Sequence, residues 1–259
     1  MTPEELHNIF RTEQEFWWYD GMRAITKAFL DPAMPRDLLL GLDAGCGTGF
    51  NAQSLQSAYG LRMFGLDLAP LGIQYARKRG FLRSLAASTM ELPFPSGSLD
   101  FLSSIDVLPV LPEGGDQKAI QEFARVLRPG GLLYLRSAAF HALRSRHSQF
   151  VAERRRYRGP EILRMIEASG MRPLRSTYAN TFLSPVALLK FRVWEPLTQA
   201  PPQSGVGVIP PAWINRALAA VLHSEAALLR RGWRFPFGQS WMVVAKKPAA
   251  NFVAGNEKL

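Results

Sequence analysis

Short apolar runs alternate along most of this chain with longer segments whose apolar positions recur every three to four residues. Runs of the first kind read as buried strands, and segments of the second kind as amphipathic helices. The pattern predicts a strand over 38–43, a helix over 50–59, a strand over 62–67 and a helix over 71–79. Strands over 82–86 and 99–105, a helix over 115–127 and a strand over 131–136 follow. A helix over 160–169 ended by Gly170, a strand near 172–179 and a last strand over 239–245 complete the series. Such alternation predicts an α/β fold with a doubly wound, mostly parallel sheet.

Two regions depart from the alternation. Residues 4–30 read as helical and carry Phe10, Phe16, Trp17, Trp18 and Tyr19. Three consecutive aromatics cannot share one helix face, so at least one is exposed or covers a cavity. Residues 1–30 therefore read either as a lid over a pocket or as a helix packed on the sheet. Residues 181–232 read as two amphipathic helical pieces around a loop containing Pro201, Pro202, Gly205, Gly207, Pro210 and Pro211. The expected division is a lid over 1–30, a core over 31–180, a helical insertion over 181–238, a final core strand within 239–248 and a frayed tail over 249–259.

The chemistry concentrates where the first strand ends. Leu42-Asp43-Ala44-Gly45-Cys46-Gly47-Thr48-Gly49-Phe50 passes from an apolar run through three alternating glycines into a helix. Strand, tight turn and helix N-terminus together make a nucleotide site in α/β folds. Gly47 to Ala52 also fits a dinucleotide fingerprint, which alone is a weak signal. The charge argues otherwise: a pyrophosphate wants amide donors, and Asp43 offers a carboxylate. That carboxylate suits a ligand bearing an ammonium group, which points to S-adenosylmethionine. The second strand also ends in an acid, Asp67, 20 residues after Gly47. An acid there either binds ribose hydroxyls or caps the helix that Pro70 opens.

With these residues the chain resembles the class I S-adenosylmethionine-dependent methyltransferases, of the bacterial small-molecule type. Leu42 to Gly49 looks like their first motif and Gly65-Leu66-Asp67-Leu68-Ala69 like their acidic second-strand motif. Glu91-Leu92-Pro93-Phe94-Pro95 with Ser98-Leu99-Asp100-Phe101 resembles the approach to their fourth strand. Arg125-Val126-Leu127-Arg128-Pro129-Gly130-Gly131-Leu132-Leu133 resembles their turn into the fifth. Trp17-Trp18-Tyr19 with Arg23, and Arg154-Arg155-Arg156-Tyr157, are similar to runs in a domain-11-like subgroup.

The resemblance implies a Rossmann-like sheet of order 3-2-1-4-5-7-6 with the last strand antiparallel. It implies a cofactor site at Asp43, Ala44, Gly45, Gly47, Gly49, Asp67, Leu68, Ser88, Thr89, Met90 and Ser104, with Trp17, Trp18, Tyr19, Arg23 and Arg156 toward the acceptor. Two departures stand out. Many relatives carry an aspartate where this chain has Ser88, and a histidine after the fourth strand where it has Asp106-Val107-Leu108-Pro109-Val110. Any base must then come from elsewhere, and His141, His147 and Tyr157 are candidates after the fifth strand. Each also has a bland reading, surface residue for the histidines and packed aromatic for Tyr157.

The implied reaction is O- or N-methylation of a small apolar or anionic metabolite. The alternatives are a non-methylating relative using the same cofactor, or a basic nucleic-acid-binding modifier or scaffold. There is no Asn/Asp-Pro-Pro-Tyr/Phe run for gripping nucleic-acid bases and no second cysteine for attack on a pyrimidine. No metal is expected, because Asp106 and Asp116 alone do not make a site.

Composition and charge refine this picture. The chain has 259 residues, 47% of them hydrophobic, enough for a full core. Cys46 is the only cysteine, and the first 20 residues lack the apolar segment of a secretion signal, so a reducing cytoplasm is expected. Net charge is +10, and residues 136–175 hold ten arginines against Glu153, Glu161 and Glu167. That focus suits an anionic membrane surface or anionic substrate, or else a solvated face, with nucleic acid not expected. Apolar and basic residues near Phe182, Leu189, Lys190, Arg192 and Trp194 suit a membrane contact or equally a dimer interface.

Overall fold

The computed structural model describes residues 1–35, 37–198 and 201–249, so all but the first residue of the expected tail lies outside the described residues. Its strands are β1 (Leu40–Ala44), β2 (Arg62–Asp67), β3 (Ser84–Ala86), β4 (Leu99–Ile105), β5 (Leu127–Ala138), β6 (Arg172–Ala179) and β7 (Ser240–Lys246). They form one sheet of order β3-β2-β1-β4-β5-β7-β6. Pairing is parallel through β5, and β7 runs antiparallel to both β5 and β6. The expected topology is therefore present. β1 and β4 both leave the centre of the sheet, and the strand order reverses between them, which opens a crevice at their carboxyl ends.

Helices cover both faces. On one, Leu42, Leu102, Leu133 and Val243 pack under α5 (Gly115–Val126) and α7 (Gly159–Ala168). On the other, Met63, Phe101, Tyr134 and Met242 pack under α2 (Trp17–Leu30), α3 (Phe50–Tyr59) and α10 (Ala212–Arg230). The remaining helices are α1 (Pro3–Thr12), α4 (Pro70–Lys78), α6 (Arg146–Phe150), α8 (Ser184–Leu189) and α9 (Glu195–Thr198). Among the described residues, no helix is long and apolar enough to cross a membrane.

Two expected boundaries change. The single helix over 4–30 is two helices, broken at 13–16. Nothing local forces the break. The carbonyls it frees are taken up from a distance: Arg23 donates to Glu13 O at 2.7 Å, and Asn215 Nδ2 to Glu15 O at 2.7 Å. A lid reaching residue 30 is corrected by burial, because Met22, Ile25, Ala28, Phe29 and Leu30 on α2 are all within 1% of full burial. α2 is a core helix, and only α1 with the 13–16 turn lies outside the sheet's own layers.

The insertion expected over 181–238 likewise divides. α10 belongs to the core, where Leu222, Ala226 and Leu229 are fully buried. Gly21 lets it approach α2, since a Cβ at that position would stand 2.4 Å from Leu222 Cβ. α8 and α9, joined by a π turn at Lys190–Trp194, bury almost none of their apolar side chains.

Candidate active site

The glycine turn joins β1 to α3 at the crevice. Gly45, Gly47 and Gly49 all have positive φ, of 89°, 52° and 81°, which side-chain-bearing residues resist. A Cβ on Gly45 would also lie 2.1 Å from Val107 Cγ2, in the segment following β4. The turn is fixed from the second strand: the N–H groups of Gly45 and Cys46 both donate to Leu66 O at 2.8 Å. Cys46 is buried against Gly65, and burial followed by the nearby Asp43 and Asp67 pushes its thiol far up. It is a small packing residue and a poor nucleophile.

Two carboxylates flank this turn. Asp43 is 1% exposed and accepts Ser103 Oγ at 2.7 Å. Burial raises it to about 6, Ser103 and Arg136 oppose the rise, and Asp67 adds to it. Asp67 Oδ2 accepts Gly47 N at 2.9 Å, and its Oδ1 accepts Ala69 N at 2.8 Å. Asp67 thus closes a turn ahead of α4, whose N-cap residue Ala69 has no side-chain cap, and braces the glycine turn. Each of its oxygens keeps a lone pair for a further donor. Leu68 beside it is 73% exposed on the rim.

The other expected cofactor residues divide. Ser88 and Met90 are half-buried, Thr89 is buried, and Ser88 Oγ accepts Met90 N at 3.1 Å. Ser104, at the end of β4, is 1% exposed, and its Oγ has no partner among the described residues.

Across the rim lies a second group of side chains, in which the expected Trp18 and Tyr19 meet Arg136, a residue not expected there. Asp106 has φ 57° and pairs with Arg136 at 2.6 Å. Arg136 is 5% exposed and stacks on Trp18, its guanidinium 5.2 Å from the ring centre. Trp18 meets Tyr19 edge-on at 5.0 Å, and Trp17 N donates to Asn215 Oδ1 at 2.9 Å. Trp17 and Trp18 both pack against the apolar cluster shared by α2 and α10. Tyr19 is raised well above the ordinary phenol by burial and then by Glu13 and Glu5. A cleft of about 240 Å³ lined by Tyr19, Arg23, Asn51, Ile105 and Arg136 opens between α2 and α3. That is smaller than the ~300–1,000 Å³ of a complete ligand pocket.

The 13–16 turn brings Glu13 onto the glycine loop. Glu13 accepts the Thr48 hydroxyl and Arg79 Nη2, the latter at 2.8 Å, with both side chains of that ion pair at most 7% exposed. Burial raises Glu13 and lowers Arg79, outweighing their mutual pairing. Glu5 on α1 is 1% exposed, its Oε2 has no partner among the described residues, and burial raises it too. Spacing gave no sign of Glu5, Glu13 or Arg79. An acid on the buried face of an amphipathic helix would have been the only hint.

The three candidate bases fare differently. His141 is exposed at the start of a 3-10 turn. Tyr157 is corrected: it lies in the core, 1% exposed, with its hydroxyl bonded to Asp116 at 2.9 Å and its proton affinity raised by burial and by that carboxylate. His147 does lie near the site, 3.7 Å from Glu5, and burial lowers it. Its Nδ1, however, accepts Gly205 N at 3.0 Å, which leaves the neutral ring's proton on Nε2 and its lone pair in use. His147 is a poor base as placed.

The arginine-rich stretch mostly braces the fold. Arg156 grips Glu153 through Nε at 2.7 Å and Nη2 at 3.1 Å, and also reaches Ser148 Oγ and Ala139 O. Arg144 donates to Glu153 O, Arg155 to Asp116, Arg164 to Pro160 O, and Arg175 stacks on Phe29. These guanidinium groups are engaged with the protein's own acids and carbonyls and, for Arg175, with an aromatic ring.

A methyltransferase-domain family model matches residues 42–135, which run from within β1 to within β5 and include the whole glycine turn. Residues 42–135 are thus a methyltransferase domain. Its match to the 2-methyl-6-phytyl-1,4-hydroquinone methyltransferase of Synechocystis is 32% identical over 98 residues, 36% of this chain and 30% of the relative. The 27-O-demethylrifamycin SV methyltransferase of Amycolatopsis mediterranei is 32% identical over 101 residues, 36% of each chain. The chain thus spans about a third of the length of these curated relatives.

Among solved structures, a putative sarcosine dimethylglycine methyltransferase from Galdieria sulphuraria aligns at TM-score 0.57 and 18% identity, covering 88% of this chain and 86% of the other. The [4+2]-cyclase SpnF aligns at TM-score 0.55 and 19% identity, covering 89% and 81%. At these identities the likeness shows the fold. The methyltransferase domain accounts for the β1–β5 half of the rim, while Glu5, Glu13, Tyr19 and His147, from α1, α2 and the chain after β5, lie outside the matched residues.

Proposed function

We propose that this chain is a methyltransferase that binds S-adenosylmethionine at the glycine turn and methylates oxygen or nitrogen of a small, apolar or anionic acceptor. The observation that carries this reading is the turn itself: three positive-φ glycines between a buried carboxylate, Asp43, and a half-satisfied one, Asp67. That arrangement fits a ligand with a cationic ammonium group and vicinal hydroxyls. The cofactor's sulfonium supplies the electrophilic methyl, so the protein's task is alignment in a dry site. In this reading Asp43 holds the ammonium, Asp67 the ribose hydroxyls, Leu68 and Met90 flank the adenine, and Thr48 fixes the turn to α1 through Glu13.

On the acceptor side, Trp18, Tyr19 and Arg136 offer one apolar and one cationic wall. The hydroquinone and rifamycin relatives, judged by their names, act on bulky apolar molecules, which favours an apolar acceptor. If the acceptor must lose a proton, Glu5 is the side chain to receive it, since it is buried, of raised basicity and has one oxygen without a partner. Isothermal calorimetry with S-adenosylhomocysteine tests the cofactor site. Micromolar binding by the wild-type chain and none by Gly45→Arg is expected, and equal binding by both would remove the proposal.

A second reading draws on SpnF, a [4+2]-cyclase on this fold. A fold does not fix a reaction. Formation of S-adenosylhomocysteine during turnover distinguishes methyl transfer from a reaction that leaves the cofactor intact.

A further inference from the structure

The rod formed by α8, the π turn and α9 presents an apolar stripe that the described fold leaves uncovered. Val186, Leu189, Val193 and Leu197 are 66%, 64%, 47% and 75% exposed, at steps of three, four and four residues, and Trp194 beside them is 65% exposed. Those steps put one continuous ridge along a single face. The rod is nevertheless firmly held at both ends. Ser184 Oγ donates to Asn180 O at 2.7 Å, and Phe182 packs edge-on against Phe235 at 5.6 Å. At the far end Arg146 N donates to Glu195 Oε2 at 2.9 Å, and Arg146 Nη1 to Thr198 Oγ1 at 2.9 Å. An ordered helix that shows its apolar ridge outward marks a contact surface.

The charges on the rod select the partner. Its one acidic residue, Glu195, is turned inward to Arg146, whereas Lys190 and Arg192 are exposed. The outward surface is therefore apolar and purely cationic, with a tryptophan between the two characters. That combination suits the headgroup region of an anionic bilayer, where aliphatic side chains insert, tryptophan sits at the boundary and lysine or arginine meets phosphate. A symmetric dimer through the same face would bring the cations of two copies together, which disfavours a second copy. The rod also adjoins the acceptor side of the site: it packs on the turn at His141–Leu143, and Lys190 is close enough to lower the proton affinity of His147.

We infer that the helical rod over residues 184–198 docks this protein on an anionic lipid surface and turns the acceptor side of the rim toward that surface. The docking stands independently of the proposed methyl transfer, and vesicle binding and cofactor binding are measured separately. The test is flotation of the full chain with vesicles of phosphatidylcholine alone and with added phosphatidylglycerol, at low and high salt. The wild-type chain should float with anionic vesicles, and added salt should weaken it. Leu189→Glu with Trp194→Glu should reduce bound protein at least tenfold while leaving the melting temperature and S-adenosylhomocysteine binding unchanged. Lys190→Glu with Arg192→Glu should remove the preference for phosphatidylglycerol. Wild-type protein that stays with the unbound fraction would overturn the inference. So would an apolar double variant that floats as well as wild type, or a wild-type dimer that the double variant converts to monomers without any vesicle binding.

Discussion

The two halves of the rim are built by different means. On the β1–β2 side, backbone makes the site: amide groups of Gly45, Cys46 and Gly47 are held by Leu66 O and Asp67, and glycine conformation shapes the turn. On the β4–β5 side, side chains make it, drawn from α1 (Glu5), α2 (Trp18, Tyr19), β5 (Arg136) and the chain after it (His147). A backbone site tolerates little variation because its geometry is its function. A side-chain site can be rebuilt for a new acceptor while the turn stays as it is.

Substitutions can break or sharpen this contrast. The largest effect is expected from Gly45→Arg, which places a side chain at positive φ against Val107. Loss of cofactor binding beyond detection by calorimetry should accompany a lower melting temperature; retained binding would mean that the turn is not the site. Next comes Glu13→Ala, which leaves buried Arg79 and Thr48 without their partner. Breaking a buried pair costs about 3–5 kcal/mol. Denaturant titration should show a loss of that order, and proteolysis should cut near the 13–16 turn before the core. If the turn stays protected, α1 is held by something other than Glu13.

Asp67→Ala should weaken cofactor binding roughly tenfold, the equivalent of ~1.5–3 kcal/mol for a charge-assisted bond. An unchanged dissociation constant would reduce Asp67 to its bonds with Gly47 and Ala69. The most diagnostic effect concerns Asp43. Its folded pKa of about 6 lies above the ordinary 3.8, so its burial stabilises the fold relative to the ionised form at low pH. That contribution is lost as pH rises from about 3.8 through about 6, an amount on the order of 3 kcal/mol. Asp43→Asn should therefore raise the neutral-pH melting temperature of the cofactor-free protein. Cofactor affinity should fall below pH 6 by up to about tenfold per unit in the wild type and stay flat in Asp43→Asn. A wild-type profile that is already flat would place the ammonium elsewhere.

The lid also takes a sharper form. Removing residues 1–12 should loosen cofactor binding with little loss of melting temperature, whereas removing residues 1–30 should unfold the domain, because α2 is buried on both the sheet and α10. Equal melting of the two truncated chains would return α2 to the lid.

Much of the β1–β5 half was legible in the chain itself. Strand periodicity, alternating glycines and an acid at each of two strand ends are local signals, and together they placed the turn, Asp43 and Asp67 where they are found. Sheet order and the antiparallel last strand came from resemblance and match the structure. The helix break at 13–16 carries no local mark; it exists because Arg23 and Asn215 satisfy the carbonyls that the break exposes. Nor did periodicity separate α10 from the rod over 184–198, since both are amphipathic. A close fit at Gly21 drew one into the core, and nothing in the described fold covers the other. Tyr157 and the arginines after β5 invited a functional reading that their buried partners redirect. Residues close in the chain announce backbone geometry through their own conformational limits. Which distant side chains meet, and which charge is buried beside which, is decided only when the sheet and its helices close around them.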